Sequence, residues 1–261
     1  KKKIIKNKEE VLKFNNQILL TFDDGLKDHY FAAQELKKRN LIGVFFIPTM
    51  PYKSKDLLDV HKAHLILGKV GGKKALSELK DFIKKKNIKK FINVEEEKIF
   101  KARYSQQDDL LEVKKFKKMI NYHGNLDHKK RILNHLIKKF KITANTRNFY
   151  LTKKEIKEMS NMGMIIGSHG ESHTLLSRLS YKKQYDELSI SKIILEKITN
   201  DKCDFFCFPY GRKNSYNNDT LRILKNLNYK FSYSVEDRNI KKKDFQNNPF
   251  EMPRFDCNSF I

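Results

Sequence analysis

Cysteine is scarce: three residues in a chain of 261, too few for a disulfide framework to hold a fold of this length. Cys203 and Cys207 fall on the same side of a strand-like run, where small buried thiols account for them. Their scarcity points to a reducing compartment. Long apolar runs are missing too, since no stretch approaches the roughly 18 apolar residues of a membrane span. The basic start, Lys1 to Glu10, is followed by neither an apolar segment nor a small-residue cleavage site, so it does not read as an export signal. The expectation is therefore a cytoplasmic rather than an exported protein. Internal repeats and low-complexity linkers are absent. So are zinc-finger spacings, an aromatic-rich RNA-binding signature and a basic recognition helix, which argues against a nucleic-acid partner. After His173 there is no further histidine.

What is abundant is lysine. The 55 Lys and Arg residues outnumber 31 Asp and Glu for a formal net charge of +24. Such a charge attracts anionic partners and keeps a protein soluble without specifying a fold. Runs such as Lys84-Lys85-Lys86 and Lys241-Lys242-Lys243 read first as solvated faces, and an acidic polysaccharide is a partner they leave open. Hydrophobic residues are 39% of the chain, but they cluster in short runs such as Ile18-Leu19-Leu20 and Val44-Phe45-Phe46-Ile47, enough for a packed core.

The pattern is α/β. Gln17 to Phe22 reads as a buried strand stopped by Asp23-Asp24-Gly25. Lys27 to Asn40 carries Phe31, Leu36 and Leu41 at helix-like intervals, and Gly43 to Pro48 is a second strand. That order predicts a parallel βαβ unit. From about residue 54 to 148 the pattern turns helical, at Asp59 to Leu67, Ala75 to Ile83 and His128 to Ile137, and reads as an insertion within a single domain spanning 1–261. The α/β pattern resumes with a capping box, Thr152 and Glu155. A strand at Met164 to Ile166, a helix from about Tyr181 to Ile198 and a strand at Asp204 to Phe208 follow. A helix near Asp219 to Leu227, a strand at Lys230 to Val235 and a last strand near Met252 to Phe255 complete it.

Three motifs sit just beyond strand ends, on the edge where parallel α/β folds bind ligands. The first is Thr21-Phe22-Asp23-Asp24-Gly25. Adjacent carboxylates point different ways, so one can bind a metal while its neighbour acts as a base, although Asp-Gly alone is an ordinary turn dipeptide. The second is His169-Gly170-Glu171-Ser172-His173, whose imidazoles share a face if the backbone makes a helical turn. With Asp24 they supply the two nitrogens and one oxygen of a catalytic zinc site with room for water. Pairs such as His61 and His64, or His128 and His135, read as surface or packing residues. The third is Phe208-Pro209-Tyr210-Gly211, a tight turn that can present a backbone N–H toward a pocket and is otherwise a simple loop.

Together these motifs resemble the polysaccharide deacetylase family (carbohydrate esterase family 4), over residues 17 to 50 and 150 to 261. The resemblance implies a distorted (β/α) barrel with a helical insertion and an enzyme that removes acetyl groups, N-acetyl favoured, from an amino-sugar glycan. It implies one divalent metal ion, Zn2+ first, on Asp24, His169 and His173. Asp23 would be the general base, and Tyr210 would lend its N–H to the oxyanion. Two departures stand out. Many members carry an Arg just before the third motif, where this chain has Phe206 and Cys207; Arg254, in Met252-Pro253-Arg254, can take that role beside Asp23. Many members also supply a late Leu-His pair as acid. Here Asp23 acting in both directions is the simplest substitute, with His64 as a side-chain candidate. An O-acetyl esterase and a carbohydrate-binding pseudoenzyme of the same fold are the alternatives.

Overall fold

A computed structural model describes residues 3–4, 17–88, 109–122, 126–143 and 145–257. The segment Lys1 to Glu10, on which the export expectation rests, lies outside the described residues except for 3–4. The chain folds as two compact units, Lys1–Asp56 with Asn145–Ile261, and Leu57–Ala144.

The first unit is built on parallel strands. A short pair, β1 (Lys3–Ile4) and β2 (Gln17–Ile18), stands apart from a six-stranded sheet. In that sheet β3 (Leu20–Asp23), β4 (Gly43–Ile47), β5 (Ile165–Ser168), β6 (Phe205–Cys207), β7 (Phe231–Val235) and β8 (Met252–Arg254) lie side by side in chain order, every pairing parallel. Curled into a half-barrel with helices around it, this is the (β/α) barrel expected. Between strands run α1 (His29–Lys38), the short α2 (Met50–Ser54), α6 (Thr146–Phe149), α7 (Lys153–Asn161), α8 (Tyr181–Thr199), α9 (Asn218–Asn226) and α10 (Lys242–Asn247). The capping box at α7 is formed, with Glu155 N donating to Thr152 Oγ1 and Thr152 N to Glu155 Oε2.

Strand alternation divides the core in two. Phe45, Ile47, Ile166, Phe206 and Phe208 face the helices with Leu36, Ile156, Leu188 and Leu195. Val44, Phe46, Ile165, Phe205, Cys207, Phe231, Tyr233 and Met252 fill the inner face. Three details differ from the sequence reading here. Cys203 and Cys207 lie in different clusters, not on one side of a strand, because Cys203 precedes the strand and escapes its alternation. Phe31 is 66% exposed, so α1 buries Ala33 and Leu36 instead. Residues 17 to 22 are also two strands broken at Leu19, and they are half-buried rather than buried.

The second unit holds α3 (Asp59–Lys85), α4 (Leu111–Tyr122) and α5 (Leu126–Lys139). Its own core contains Ile66, Leu76, Leu79, Phe116, Ile120, Ile132, Leu133 and Leu136. Apolar residues at three- and four-residue spacings form this seam, and Lys62 is buried beside it with its Nζ donating to Asn134 Oδ1 at 2.9 Å. Helix α3 breaks at Gly71, where φ is +73°. At neighbouring Gly72 an added Cβ would come within 2.7 Å of Val113 Cγ2, so glycine permits the approach of α4.

Inner packing makes its own test. A Cβ on Gly167 would sit 2.6 Å from the Phe46 ring and 3.0 Å from the Phe205 carbonyl oxygen. Gly167→Ala should lower stability by about 1–3 kcal/mol through overpacking, read as a fall in the urea midpoint. An unchanged midpoint would show that the inner face yields freely.

Candidate metal centre

The motifs meet at the carboxyl ends of the strands. Alternation along β3 turns Leu20 and Phe22 toward the helices and sends Thr21 and Asp23 to the inner face. On β8 the same rule puts Arg254 on the side of Met252. The two strands are the opposite edges of the sheet, so no backbone ladder joins them. The Arg254 side chain does. Its Nη1 donates to Asp23 Oδ1 at 2.8 Å and to Thr21 Oγ1 at 3.2 Å, while Nη2 donates to Asp23 Oδ2 and lies 2.9 Å from Cys207 Sγ. A bidentate guanidinium–carboxylate pair thus spans the open seam of the half-barrel.

This pairing settles the local charges. Burial by itself would raise the Asp23 carboxyl, but the Arg254 guanidinium, with His169 nearby, holds it below the ordinary carboxylate value. Burial would lower the Arg254 guanidinium, and the Asp23 carboxylate bonded to it keeps it cationic. Burial pushes the Cys207 thiol well up against the opposing pull of Arg254, so at neutral pH it is a protonated thiol. Asp23 is ionised beside a fixed cation.

Asp24 leaves the strand with φ +80° and Gly25 follows with φ +62°. Their turn is pinned to the start of α7, where Leu151 N donates to the Gly25 carbonyl and Lys27 N to that of Phe149, both at 3.0 Å. Lys27 also pairs with Glu155 of the capping box at 2.6 Å. The histidine segment follows β5. His169 is buried, and its Nδ1 lies 2.7 Å from the Cys207 carbonyl oxygen. A carbonyl only accepts, so Nδ1 carries the proton and Nε2 keeps its lone pair. Residues 169–173 do not form the helical turn considered from their spacing. A left-handed Gly170 (φ +76°) and His173 (φ +55°) fold the loop back, bringing the imidazole centroids to 4.8 Å.

The ligand atoms converge. Asp24 Oδ1 lies 3.6 Å from His169 Nε2 and 3.4 Å from His173 Nε2, and all three donors fall within 4.8 Å of one another. Bonds of ~2.0–2.1 Å in a tetrahedral zinc site give ligand–ligand edges of about 3.3 Å. The set therefore fits one small divalent ion. A second grouping, Asp23, His169 and Cys207, is equally compact but does not fit. Arg254 already bridges its carboxylate and thiol, and that thiol is protonated.

Tyr210 closes the rim. Its φ is +66° and its ring centroid lies 5.0 Å from that of His173. Gly211, at φ +67°, admits no side chain, because a Cβ would meet Val235 Cγ2 at 2.4 Å. Among the described residues, nine non-glycine residues have positive φ. Asn40, Lys55, Asn87, Lys141, Asn200 and Asn228 end helices, and the other three are Asp24, His173 and Tyr210. Strain in this region costs about 1–3 kcal/mol per residue and gathers at functional sites. His64, the side-chain candidate for an acid, belongs to the second unit, where it is exposed and its ring lies 6.4 Å from that of His61. Thr21, which stands within the first motif, and Ser168, which directly precedes the second, also touch the rim; Glu187 and Ser191 reach it from α8 and have no signal in the sequence beyond being polar residues on a helix.

Residues 126–232 match the polysaccharide deacetylase family. That stretch includes His169, His173 and Tyr210; Asp23, Asp24 and Arg254 lie outside it. YxkH of Bacillus subtilis (strain 168), a polysaccharide deacetylase by name, is 29% identical over 87 residues, which is 33% of this chain and 30% of that protein. The fold is similar to that of the Streptococcus pyogenes deacetylase PplD in complex with acetate, with a TM-score of 0.52 at 19% identity over 95% of this chain and 71% of that one. It is also similar to the BpsB deacetylase domain of Bordetella bronchiseptica (0.51, 13% identity, 93% and 71%) and to IcaB of Ammonifex degensii (0.51, 14% identity, 98% and 78%). The resemblance thus holds in sequence over a stretch that takes in the second and third motifs, and in fold over most of the chain.

The Asp23–Arg254 pair predicts a pH-dependent contribution. A carboxyl held low in the folded state adds stability above its unfolded pKa of about 3.9 and loses it as pH falls through the folded value. Removing one partner of a fully buried pair costs about 3–5 kcal/mol, and Asp23 keeps 30% exposure. Arg254→Ala should therefore lower stability at pH 7 by about 2–3 kcal/mol, with the gap to the parent shrinking below pH 4. A gap of equal size at pH 7 and pH 3 in chemical denaturation would refute the pairing.

Proposed function

We propose that this chain, which resembles the polysaccharide deacetylases, is a metal-dependent hydrolase that removes acetyl groups from an amino-sugar glycan. The reading rests on one observation above the rest: Asp24, His169 and His173 converge on one rim beside an Asp23 that Arg254 keeps ionised. Two imidazoles and a carboxylate suit zinc among the divalent ions. When bound, the ion would supply Lewis acidity to the acetyl carbonyl and acidify the attacking water.

The remaining chemistry falls to the chain's own side chains. Asp23 accepts the proton of the attacking water through Oδ1, which is held by one guanidinium N–H and retains a second lone pair for the task; Oδ2 accepts a guanidinium N–H and the Cys207 S–H. Arg254 fixes the plane of that carboxylate and keeps it in the basic form. Once protonated, Asp23 returns the proton to the leaving amine, so one carboxyl serves in both directions. This assignment needs no late histidine. The Tyr210 N–H, held at the rim by its left-handed backbone, faces the developing oxyanion, a contribution of about 3 kcal/mol by comparison with other such donors. An N-acetyl group is favoured over an O-acetyl ester, and the +24 charge favours a glycan that carries anionic groups.

Acetylated oligosaccharides incubated with the metal-loaded chain should each lose the mass of an acetyl group and release acetate, and chelation should abolish this. Asp23→Asn should bind metal as the parent does and turn over at least about 100-fold more slowly, the range of general-base loss. Arg254→Ala should slow turnover with metal content intact. Metal binding without acetate release across N- and O-acetylated panels would replace the hydrolase with a carbohydrate-binding pseudoenzyme.

A further inference from the structure

Helix α8 buries an unusual stripe. Its inward positions are Gln184, Leu188, Ser191, Leu195 and Thr199, three of them polar, with Glu187 half-buried beside them. A buried polar group left unpaired is destabilising, so each needs a partner. Gln184 accepts from Thr220 Oγ1 at 2.5 Å and donates to the Leu179 carbonyl at 3.1 Å. Thr199 Oγ1 turns back on its own helix to the Leu195 carbonyl at 2.9 Å.

Glu187 and Ser191 are used differently. One helical turn apart, they project to the same side and both reach the histidine loop. Glu187 Oε2 accepts Glu171 N at 3.0 Å and Ser172 N at 2.8 Å, and its Oε1 accepts Ser172 Oγ at 2.5 Å. Ser191 Oγ lies 2.8 Å from Ser168 Oγ, which accepts Gly170 N at 3.2 Å. Every one of these contacts falls on residues 168–172, the stretch that must turn for His173 to return to His169. From the opposite flank, Thr49 N and Met50 N donate to the carbonyls of Gly170 and Glu171 at 3.2 and 2.8 Å, and Lys53 pairs with Glu171 at 2.9 Å. A carboxylate accepts all three of these donors at once, whereas an amide could keep the two backbone bonds on its oxygen but would have to reverse the third by donating to Ser172 Oγ.

We infer that Glu187 is the positioning residue of the metal centre: acting through the backbone of Glu171 and Ser172, it holds the loop in which His169 and His173 meet Asp24. The inference rests on the reading of Asp24, His169 and His173 as metal ligands. Glu187 touches neither the ion nor substrate in this role, so it acts on metal affinity before it acts on chemistry. Loss of groups that orient ligands from behind weakens metal binding by 10- to 100-fold as a rule.

The test is a titration of the metal-free full chain with Zn2+ alone by calorimetry, and with Co2+ by visible absorption. Glu187→Ala, which removes every acceptor, should bind about tenfold more weakly or worse, with an altered Co2+ spectrum, while the metal-free form remains folded at the titration temperature; Glu187→Gln, which can keep the two backbone bonds, should lose less. Ser172→Ala should show a smaller loss, and the double variant should fall short of additivity because both act through one turn. Lys183→Ala, on the exposed side of α8, should bind like the parent. Parental affinity in Glu187→Ala, or a loss matched by unfolding of the metal-free chain, overturns the inference. Should Glu187→Ala fail to fold, unchanged affinity in Ser172→Ala overturns it and a loss sustains it. A parent that binds neither ion instead removes the metal-ligand reading beneath it.

Discussion

The contact on which the rest depends is the guanidinium–carboxylate pair between Arg254 and Asp23. A six-stranded parallel sheet leaves two edges, and in this chain they are the first and last strands of the sheet. Their main chains are not paired, so a side chain must join them if they are to stay in register at the rim. Arg254 does so with donors to Asp23 and Thr21 on one strand while touching Cys207 on another. A fork of fixed donors suits this better than the single point charge of a lysine. The same contact that joins the edges also ionises and orients Asp23, so stability and the proposed chemistry draw on one pair of side chains.

Around that pair the backbone is bent in ways L-residues avoid. Asp24, His173 and Tyr210 take left-handed conformations, and each is held by bonds from outside its own motif: the start of α7 for the first turn, Glu187 and α2 for the second, and the contact of Val235 N with the Gly211 carbonyl for the third. Strain of this kind persists only where the surroundings over-determine it. The helices are therefore more than a coat on the sheet. Their polar residues fix loops whose own sequences would relax elsewhere.

Legibility followed the range of the interaction. The βαβ order, the capping box at Thr152 and the runs Val44 to Ile47 and Lys230 to Val235 depend on neighbours a few residues away, and the sequence conveyed them. The errors came where a pattern was extended past its element. Cys203 and Cys207 share a parity, but Cys203 lies before the strand. Phe31 has helical spacing, yet its position on α1 faces solvent. The two histidines were weighed as a helical pair because their spacing allowed it, whereas the loop reaches the same meeting through left-handed turns. Glu187 carried no local mark, since a half-buried glutamate on an amphipathic helix looks like any other charged residue until its partners are known.

Hydrophobic alternation and the three motifs, both local properties of residue order, were enough for the amino acids themselves to establish an α/β barrel and the residue types at its rim. The motifs and their resemblance already suggested Asp24 beside the two imidazoles and Arg254 beside Asp23; the distances at which these groups meet, the left-handed turns that bring the imidazoles together, and the closure of the sheet by residues 231 apart in sequence were decided only by the tertiary structure. Those features depend on how the sheet curls and on which bonds brace its loops, and long-range geometry of that kind leaves no periodic trace in the order of residues.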